Sequence, residues 1–101
     1  MLVVLDAFSG RPNPTWEIPE DKAATFLRRI SSLPVSQAAL SVPDLGYRGF
    51  VINSDSSIIR VYRGQVTVTR DGRIQTFQDN NGIEKDLATE ARAKGYGAIL
   101  G

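Results

Sequence analysis

The chain begins with two short segments whose hydrophobic residues are typical of β-strands. Residues 1–8 are apolar and rich in Val and Leu, and strand-like composition resumes at residues 15–18 after a stretch that holds two prolines. Because Pro12 and Pro14 fix φ and push the residue before each of them toward extended backbone, we expect a stiff loop here. The pattern predicts a β-hairpin with an ordered loop.

From Pro19 onward the spacing of apolar residues changes to that of a helix. They recur on one face at Ala23, Phe26, Leu27, Ile30 and Leu33. Pro19 suits the first turn of a helix, the acidic residues that follow favour its positive end, and Pro34 prevents its continuation. Residues 33–45 have no sustained period, which predicts a long connection with one turn at residues 36–40. Connections of this length are often functional.

Strand-like composition returns in the middle of the chain, where turn residues separate four short segments. These segments are residues 47–53, 57–63, 65–69 and 73–77. The Asp71-Gly72 dipeptide is the strongest turn signal in the sequence and is typical of a two-residue hairpin turn. Such a turn aligns Val68 with Gln75 on one face of the sheet, and a bulged register is the alternative.

A second helical pattern follows the strands. Its apolar stripe consists of Ile83, Leu87, Ala88 and Ala91. Asn81, with Glu84 three residues later, resembles a capping box, and we predict a helix from there to about residue 94. The order of elements predicts a single α+β domain over residues 1–101. In this fold an N-terminal hairpin and a C-terminal meander form an antiparallel sheet, with two helices packed on one face.

The end of the sequence combines glycines with a short apolar stretch. Residues 95–101 include Ala98, Ile99 and Leu100. Such a tail can pack on its own domain or offer a strand to another chain. We expect it to pack on its own domain, because an exposed apolar end favours aggregation.

Composition narrows the chemistry that this domain can perform. The hydrophobic share of 42% and the charged share of 23% are those of a globular domain that folds alone. The sequence has no cysteine and no histidine. Disulfides, thiolate nucleophiles and the commonest general base near neutral pH are therefore excluded. Any catalysis would have to use carboxylates, Lys, Tyr or Arg.

The acidic residues and the glycine motifs do not form a recognisable catalytic or ligand site. Asp6 is unusual because it interrupts an apolar run, and it either points outward or pairs with Arg11. The Gly95-Tyr96-Gly97 sequence lacks the third glycine and the helix of a dinucleotide-binding loop. The glycine at position 82 comes too early after Asp79 for a calcium loop. We predict no catalytic residue, no metal site and no cofactor.

Positive charge is concentrated in the middle of the chain. The net charge is +1, but residues 46–78 carry five arginines against two aspartates. In the second predicted strand of this region, alternation places Ile59 and Val61 in the core and turns Arg60 and Tyr62 toward water. Arginine and aromatic side chains on one face can bind single-stranded nucleic acid. Because the sequence pI of about 8.1 is far below that of a strongly basic binder, we do not expect nucleic acid as the partner.

The loop at residues 9–16 concentrates unusual residue types. Its candidate partner-binding residues are Ser9, Arg11, Asn13 and Trp16, to which the strand residues Arg60 and Tyr62 are added. Tryptophan and arginine are enriched at interface hot spots, and a proline-stiffened loop loses little entropy on binding. In this interpretation Arg11 and Asn13 face outward. In the structural alternative Asn13 binds nearby backbone, Arg11 pairs with a local acid and Trp16 fills the core.

These features predict a non-catalytic binding module that presents the Ser-Gly-Arg-Pro-Asn-Pro loop to an anionic or carboxylate-bearing protein or peptide. The alternatives are a small carboxylate-dependent enzyme and a weak binder of single-stranded nucleic acid. We expect a monomer or a homodimer, because the predicted elements leave one sheet face thinly covered. The N-terminal apolar run is interrupted by Asp6 and is too short to span a membrane, so we expect a cytoplasmic protein.

Overall fold

A computed structural model describes residues 1–8, 10, 12–38, 40–43, 46–54 and 56–100. Within these residues, six strands form one antiparallel sheet in the order β2-β1-β3-β4-β5-β6. The strands are β1 (Leu2–Leu5), β2 (Thr15–Glu17), β3 (Phe50–Asn53), β4 (Ile58–Tyr62), β5 (Gln65–Arg70) and β6 (Arg73–Gln78). The helices are α1 (Glu20–Ser31) and α2 (Ile83–Ala93), followed by a 3-10 segment, Gly97–Leu100. The predicted α+β fold is confirmed.

The core lies between one face of the sheet and the two helices of the described chain. Cross-strand pairing sets Val3 beside Ile52 and Ile52 beside Ile59, and all three side chains are buried. Phe26 of α1 and Leu87 of α2 belong to the same buried cluster. Because β1 lies between β2 and β3, it joins the N-terminal hairpin to the meander in a single sheet. We call the sheet face that packs against the helices the inner face, and the opposite one the outer face.

The β5–β6 hairpin has the unbulged register. Val68 pairs with Gln75, as the two-residue turn predicts, so the bulged alternative is wrong. Asp71 and Gly72 have φ values of 52° and 75°. Both lie in the left-handed region that a type I′ turn requires. The twist of this turn matches that of the strands, which explains why the ladder continues without a defect.

The helix starts differ from the sequence predictions in detail. Pro19 immediately precedes α1 with extended backbone (φ −57°, ψ 153°), so it is the cap residue and not part of the first turn. At α2 the predicted capping box is wrong. The carboxylate of Asp79 accepts hydrogen bonds from the backbone N–H groups of Ile83 and Glu84, at 2.9 and 2.8 Å. Asp79 therefore caps this helix in place of Asn81.

The long connection after α1 lies along the edge of the sheet before crossing to the outer face. Val35 forms a bridge with Phe77 of β6, and the chain bends at residues 37–38. The turn expected at residues 36–40 includes residue 39, which lies outside the described residues. Leu40 and Val42 then line a hollow on the outer face with Ile74. The connection thus covers part of a sheet face that the helices leave open.

The C-terminal segment packs on the domain, as predicted. Ile99 and Leu100 contact the core cluster, and the ring of Tyr96 stacks on Trp16 with centroids 6.1 Å apart. In the described residues no helix has both the length and the apolar character that a membrane span requires.

Candidate functional site

The loop between β1 and β2 is held against its own domain by Asn13. The side-chain oxygen of Asn13 accepts hydrogen bonds from the backbone N–H groups of Ala7 and Phe8, at 3.0 and 2.7 Å. Its amide nitrogen donates to Oδ1 of Asp6 at 3.5 Å. The amide of Asn13 is therefore turned inward, as in the structural alternative. The predicted loop residues Ser9 and Arg11 lie outside the described residues.

Asp6 binds two arginines on the outer face. Its Oδ1 accepts hydrogen bonds from Nη2 and Nε of Arg48, at 2.9 and 3.1 Å, and its Oδ2 accepts one from Nη1 of Arg60 at 2.8 Å. Burial acts to raise the pKa of Asp6, but the hydrogen bonds and charges of Arg60 and Arg48 outweigh it and hold that pKa below its ordinary value. A carboxylate that stays ionised and has both oxygens bound is poorly suited to acid-base catalysis.

The predicted aromatic residues of the site lie in the interior. Trp16 is buried, and its indole N–H donates to Oε1 of Glu90 at 3.2 Å. Tyr62 is also buried, so the expectation that it faces water is wrong. The reason is local, because the segment before β3 places the Tyr47 ring 5.6 Å from the Tyr62 ring and covers it. Simple strand alternation does not account for such a covering segment.

Tyr47 also links this region to α2. Its hydroxyl donates to Oε2 of Glu84 at 2.7 Å. Burial, followed by the hydrogen bond and negative charge of Glu84, raises the pKa of Tyr47 well above its ordinary value. The hydroxyl therefore remains protonated and acts as a donor. This contact therefore has a structural role, since it joins the segment before β3 to α2.

The sites predicted from the sequence are thus brought together only in part. Asn13 and Arg60 meet at Asp6, on the outer face of the sheet. Trp16 contacts Phe50 in the core, with centroids 6.3 Å apart. The predicted partner-binding residues that the structure describes therefore all contact other residues of this chain.

A cleft on the inner face has a different character. It lies between α1 and the end of the sheet that carries the β5–β6 turn, and its volume is about 690 Å³. Apolar side chains line its interior: Leu27, Ile30, Ile59, Val68 and Phe77. Leu27 is 38% exposed, although it belongs to the apolar stripe of α1. This part of the apolar stripe is therefore accessible from solvent through the cleft.

Arg70 and Arg73 lie at the mouth of this cleft. They are paired directly across the hairpin and share the inner face with Val68 and Gln75. Both side chains are exposed, and no hydrogen bond or ion pair reaches either of them from the described residues. Asp71 lies between them in sequence without bridging them. The cleft therefore combines an apolar interior with two cations at its rim that no described acidic side chain binds.

Arg70 and Arg73 are not among the site residues predicted from the sequence. The available signal was the Asp71-Gly72 turn, because a two-residue turn sets its flanking residues opposite each other. The position of α1 beside them depends on tertiary packing and could not be read from the sequence.

The rim residues favour binding of an anion. Guanidinium groups suit bidentate contact with a carboxylate.

Among the described residues, no group of three or more acidic side chains is placed to hold a metal ion. Comparisons with protein-family models, with curated proteins and with solved structures found no match to this chain.

Proposed function

We propose that this protein is a non-catalytic binding module that recognises a carboxylate-bearing protein or peptide partner through the inner-face cleft. The observation that carries the proposal is the pairing of Arg70 with Arg73 at the rim, with no acidic neighbour bound to either in the described chain. Like charges placed directly opposite each other on one sheet face are unfavourable. A bound carboxylate would relieve this repulsion and form charge-assisted hydrogen bonds.

The interior of the cleft supports the same proposal. Its volume of about 690 Å³ lies within the range of small-molecule and side-chain binding sites. Val68 and Phe77 in this interior are only partly buried, so an apolar side chain of a partner would gain contacts there. The arginines would supply the selectivity for charge, and the apolar interior would supply part of the affinity.

The loop at residues 9–16 has less support as the recognition surface. Two of the residues expected to contact a partner already have partners within the chain. Asn13 binds backbone N–H groups, and Arg60 binds Asp6. A small carboxylate-dependent enzyme also has less support, because the unusual acid of the sequence, Asp6, is held ionised by two arginines. We further propose a cytoplasmic protein that is a monomer or a homodimer.

The test is a titration of the isotopically labelled protein, followed by nuclear magnetic resonance. The probe is a short synthetic peptide of Thr, Val, Leu and Glu, and its matched control carries Lys in place of each Glu. We expect the acidic peptide to shift the amide signals of Val68, Arg70 and Arg73 at concentrations up to about 1 mM. The lysine peptide is expected to shift none of them.

A pair of charge-reversal variants controls for the net charge. Arg70→Glu with Arg73→Glu is expected to weaken binding at least about tenfold. Lys22→Glu with Lys85→Glu changes the net charge equally by reversing two exposed helix residues, and is expected to leave binding unchanged. Equal losses in both double variants, or no binding of the acidic peptide, would overturn the proposed function.

A further inference from the structure

The edge of β6 that faces away from β5 is paired along only part of its length. Gln78 donates its backbone N–H to the carbonyl of Pro34, and the carbonyl of Thr76 accepts from Ser36, both at 2.8 Å. These bonds show that the even-numbered residues of β6 direct their backbone groups away from β5. Because antiparallel pairing alternates residue by residue, Ile74 directs its N–H and C=O the same way.

The segment of this chain that pairs with β6, residues 34–36, ends before it reaches Ile74. The chain bends at residues 37–38 and continues toward the outer face, where Leu40 lines the hollow. In the described residues no backbone hydrogen bond joins Ile74 to any segment on this edge. Its side chain is 71% exposed. As far as the structure describes the chain, the edge of β6 at residues 73–75 is therefore open to an additional strand.

This open edge borders the cleft. Arg73 and Gln75 line it from β6, and Leu27 lines it from α1. Successive side chains of a strand point to opposite faces. A strand added beside residues 73–75 would therefore place every second side chain at the cleft and the others beside Ile74.

Charge indicates which strand fits. In a second copy of this chain paired through the same edge, the two Arg73 side chains would lie diagonally across from each other on one face, beside both copies of Arg70. Such a cluster of like charges disfavours self-pairing. An acidic segment has the opposite effect, because its carboxylates would lie next to these arginines.

We propose that an extended, acidic segment of a protein partner adds to β6 as a further strand, with an apolar side chain in the cleft and a carboxylate between Arg70 and Arg73. This inference rests on the proposed function and specifies its geometry. Backbone hydrogen bonds to Ile74 provide affinity in this mode, and alternate side chains provide specificity.

The test uses N-methylated versions of the acidic peptide of Thr, Val, Leu and Glu. One isomer carries N-methyl groups at odd positions and the other at even positions, so that only one of them blocks the backbone groups that face β6. We expect one isomer to lose at least about tenfold in affinity and the other to bind like the parent peptide, because only one edge of an added strand bonds to the protein.

A protein variant provides an independent measurement. Ile74→Pro removes an N–H that the β5 ladder does not use, as proline on a strand edge permits, and is expected to weaken binding at least about tenfold. Ile74→Val keeps that N–H and is expected to bind normally. Equal binding of both methylated isomers, with the parent peptide still bound, would overturn strand addition but leave the proposed function standing. Failure of the parent peptide to bind would overturn both.

Discussion

At the scale of single residues, Gly49 is the least replaceable position among the described glycines. Its φ is +92°, and a Cβ placed there would lie 2.8 Å from Cβ of Tyr62 and in closer conflict with the carbonyl oxygen of Val61. We expect Gly49→Ala to lower the free energy of unfolding by more than about 3 kcal/mol, or to prevent folding, because strain and a backbone clash combine. Urea denaturation measures the loss.

Gly46 is the matched control for this prediction. Its φ of +83° carries the same strain, but a Cβ there would meet no atom within 4 Å. Gly46→Ala is therefore expected to cost only about 1–2 kcal/mol. Equal losses at both positions would contradict the role assigned to the close approach of β4.

Asp6 makes stability depend on acid pH. Its pKa is lower in the folded chain than in the unfolded one, so its contribution is complete above the unfolded value of about 3.9 and is lost as the pH falls through the folded value. We expect Asp6→Asn to reduce the free energy of unfolding at neutral pH by about 2 kcal/mol, because Arg48 and Arg60 lose their counter-charge. The deficit relative to the natural chain should shrink as the pH falls below about 4.

Thermal unfolding at a series of pH values measures this effect. The control is Asp86→Asn, which breaks an ion pair with Arg29 at 2.7 Å whose carboxylate side chain is 54% exposed. Exposed ion pairs contribute little, so this variant is expected to change stability by less than about 1 kcal/mol. A pH-independent deficit for Asp6→Asn would show that packing, and not charge, is lost.

At the scale of elements, the start of α2 depends on Asp79. Its carboxylate satisfies two backbone N–H groups at 2.8–2.9 Å that otherwise have no helical acceptor. We expect Asp79→Ala to lower the free energy of unfolding by about 1 kcal/mol. Asn81→Ala is expected to change it by less than about 0.5 kcal/mol, because its side chain is exposed and does not cap the helix. The reverse order in chemical denaturation would favour the capping box.

The sequence predicted the elements better than their ends. Alternation located the strands and the apolar stripes located the helices, because both patterns follow from burial of one face. The cap of α2 was misassigned because Gly82 takes a left-handed conformation, φ 80°, which carries the chain back so that Asp79 reaches the helix start. Backbone conformations of this kind are not encoded in the spacing of residue types.

At the scale of the whole molecule, the positive charge of the meander is partly neutralised. Asp6 binds both Arg48 and Arg60, so these arginines are not available as a free pair on the outer face. We expect no sub-micromolar binding of mixed single-stranded RNA or DNA at physiological salt, because Asp6 neutralises part of this charge and the sequence pI is only about 8.1. Fluorescence anisotropy tests this expectation. Salt-dependent binding below about 1 µM would favour the nucleic-acid alternative.

The candidate site could be predicted from the sequence only in part. The turn at Asp71-Gly72 fixes the pairing of Arg70 with Arg73, and this local feature can be predicted. The cleft behind them also requires Leu27 of α1, whose position is set by packing of distant segments. The partners of Asp6 were missed for the same reason, because Arg48 and Arg60 reach it through the pairing of β1 with β3 and of β3 with β4.

The position of β1 between β2 and β3 has a consequence for the order of folding. Each strand from β3 to β6 pairs with its neighbour in sequence, whereas β1 pairs Leu2 with Asn53. Local hairpins close at lower entropic cost than such distant pairings. We expect the meander to form in the folding transition state and β1 to insert beside β3 afterwards. In stopped-flow kinetics, Val3→Ala should therefore mainly accelerate unfolding, whereas Val66→Ala should mainly slow folding.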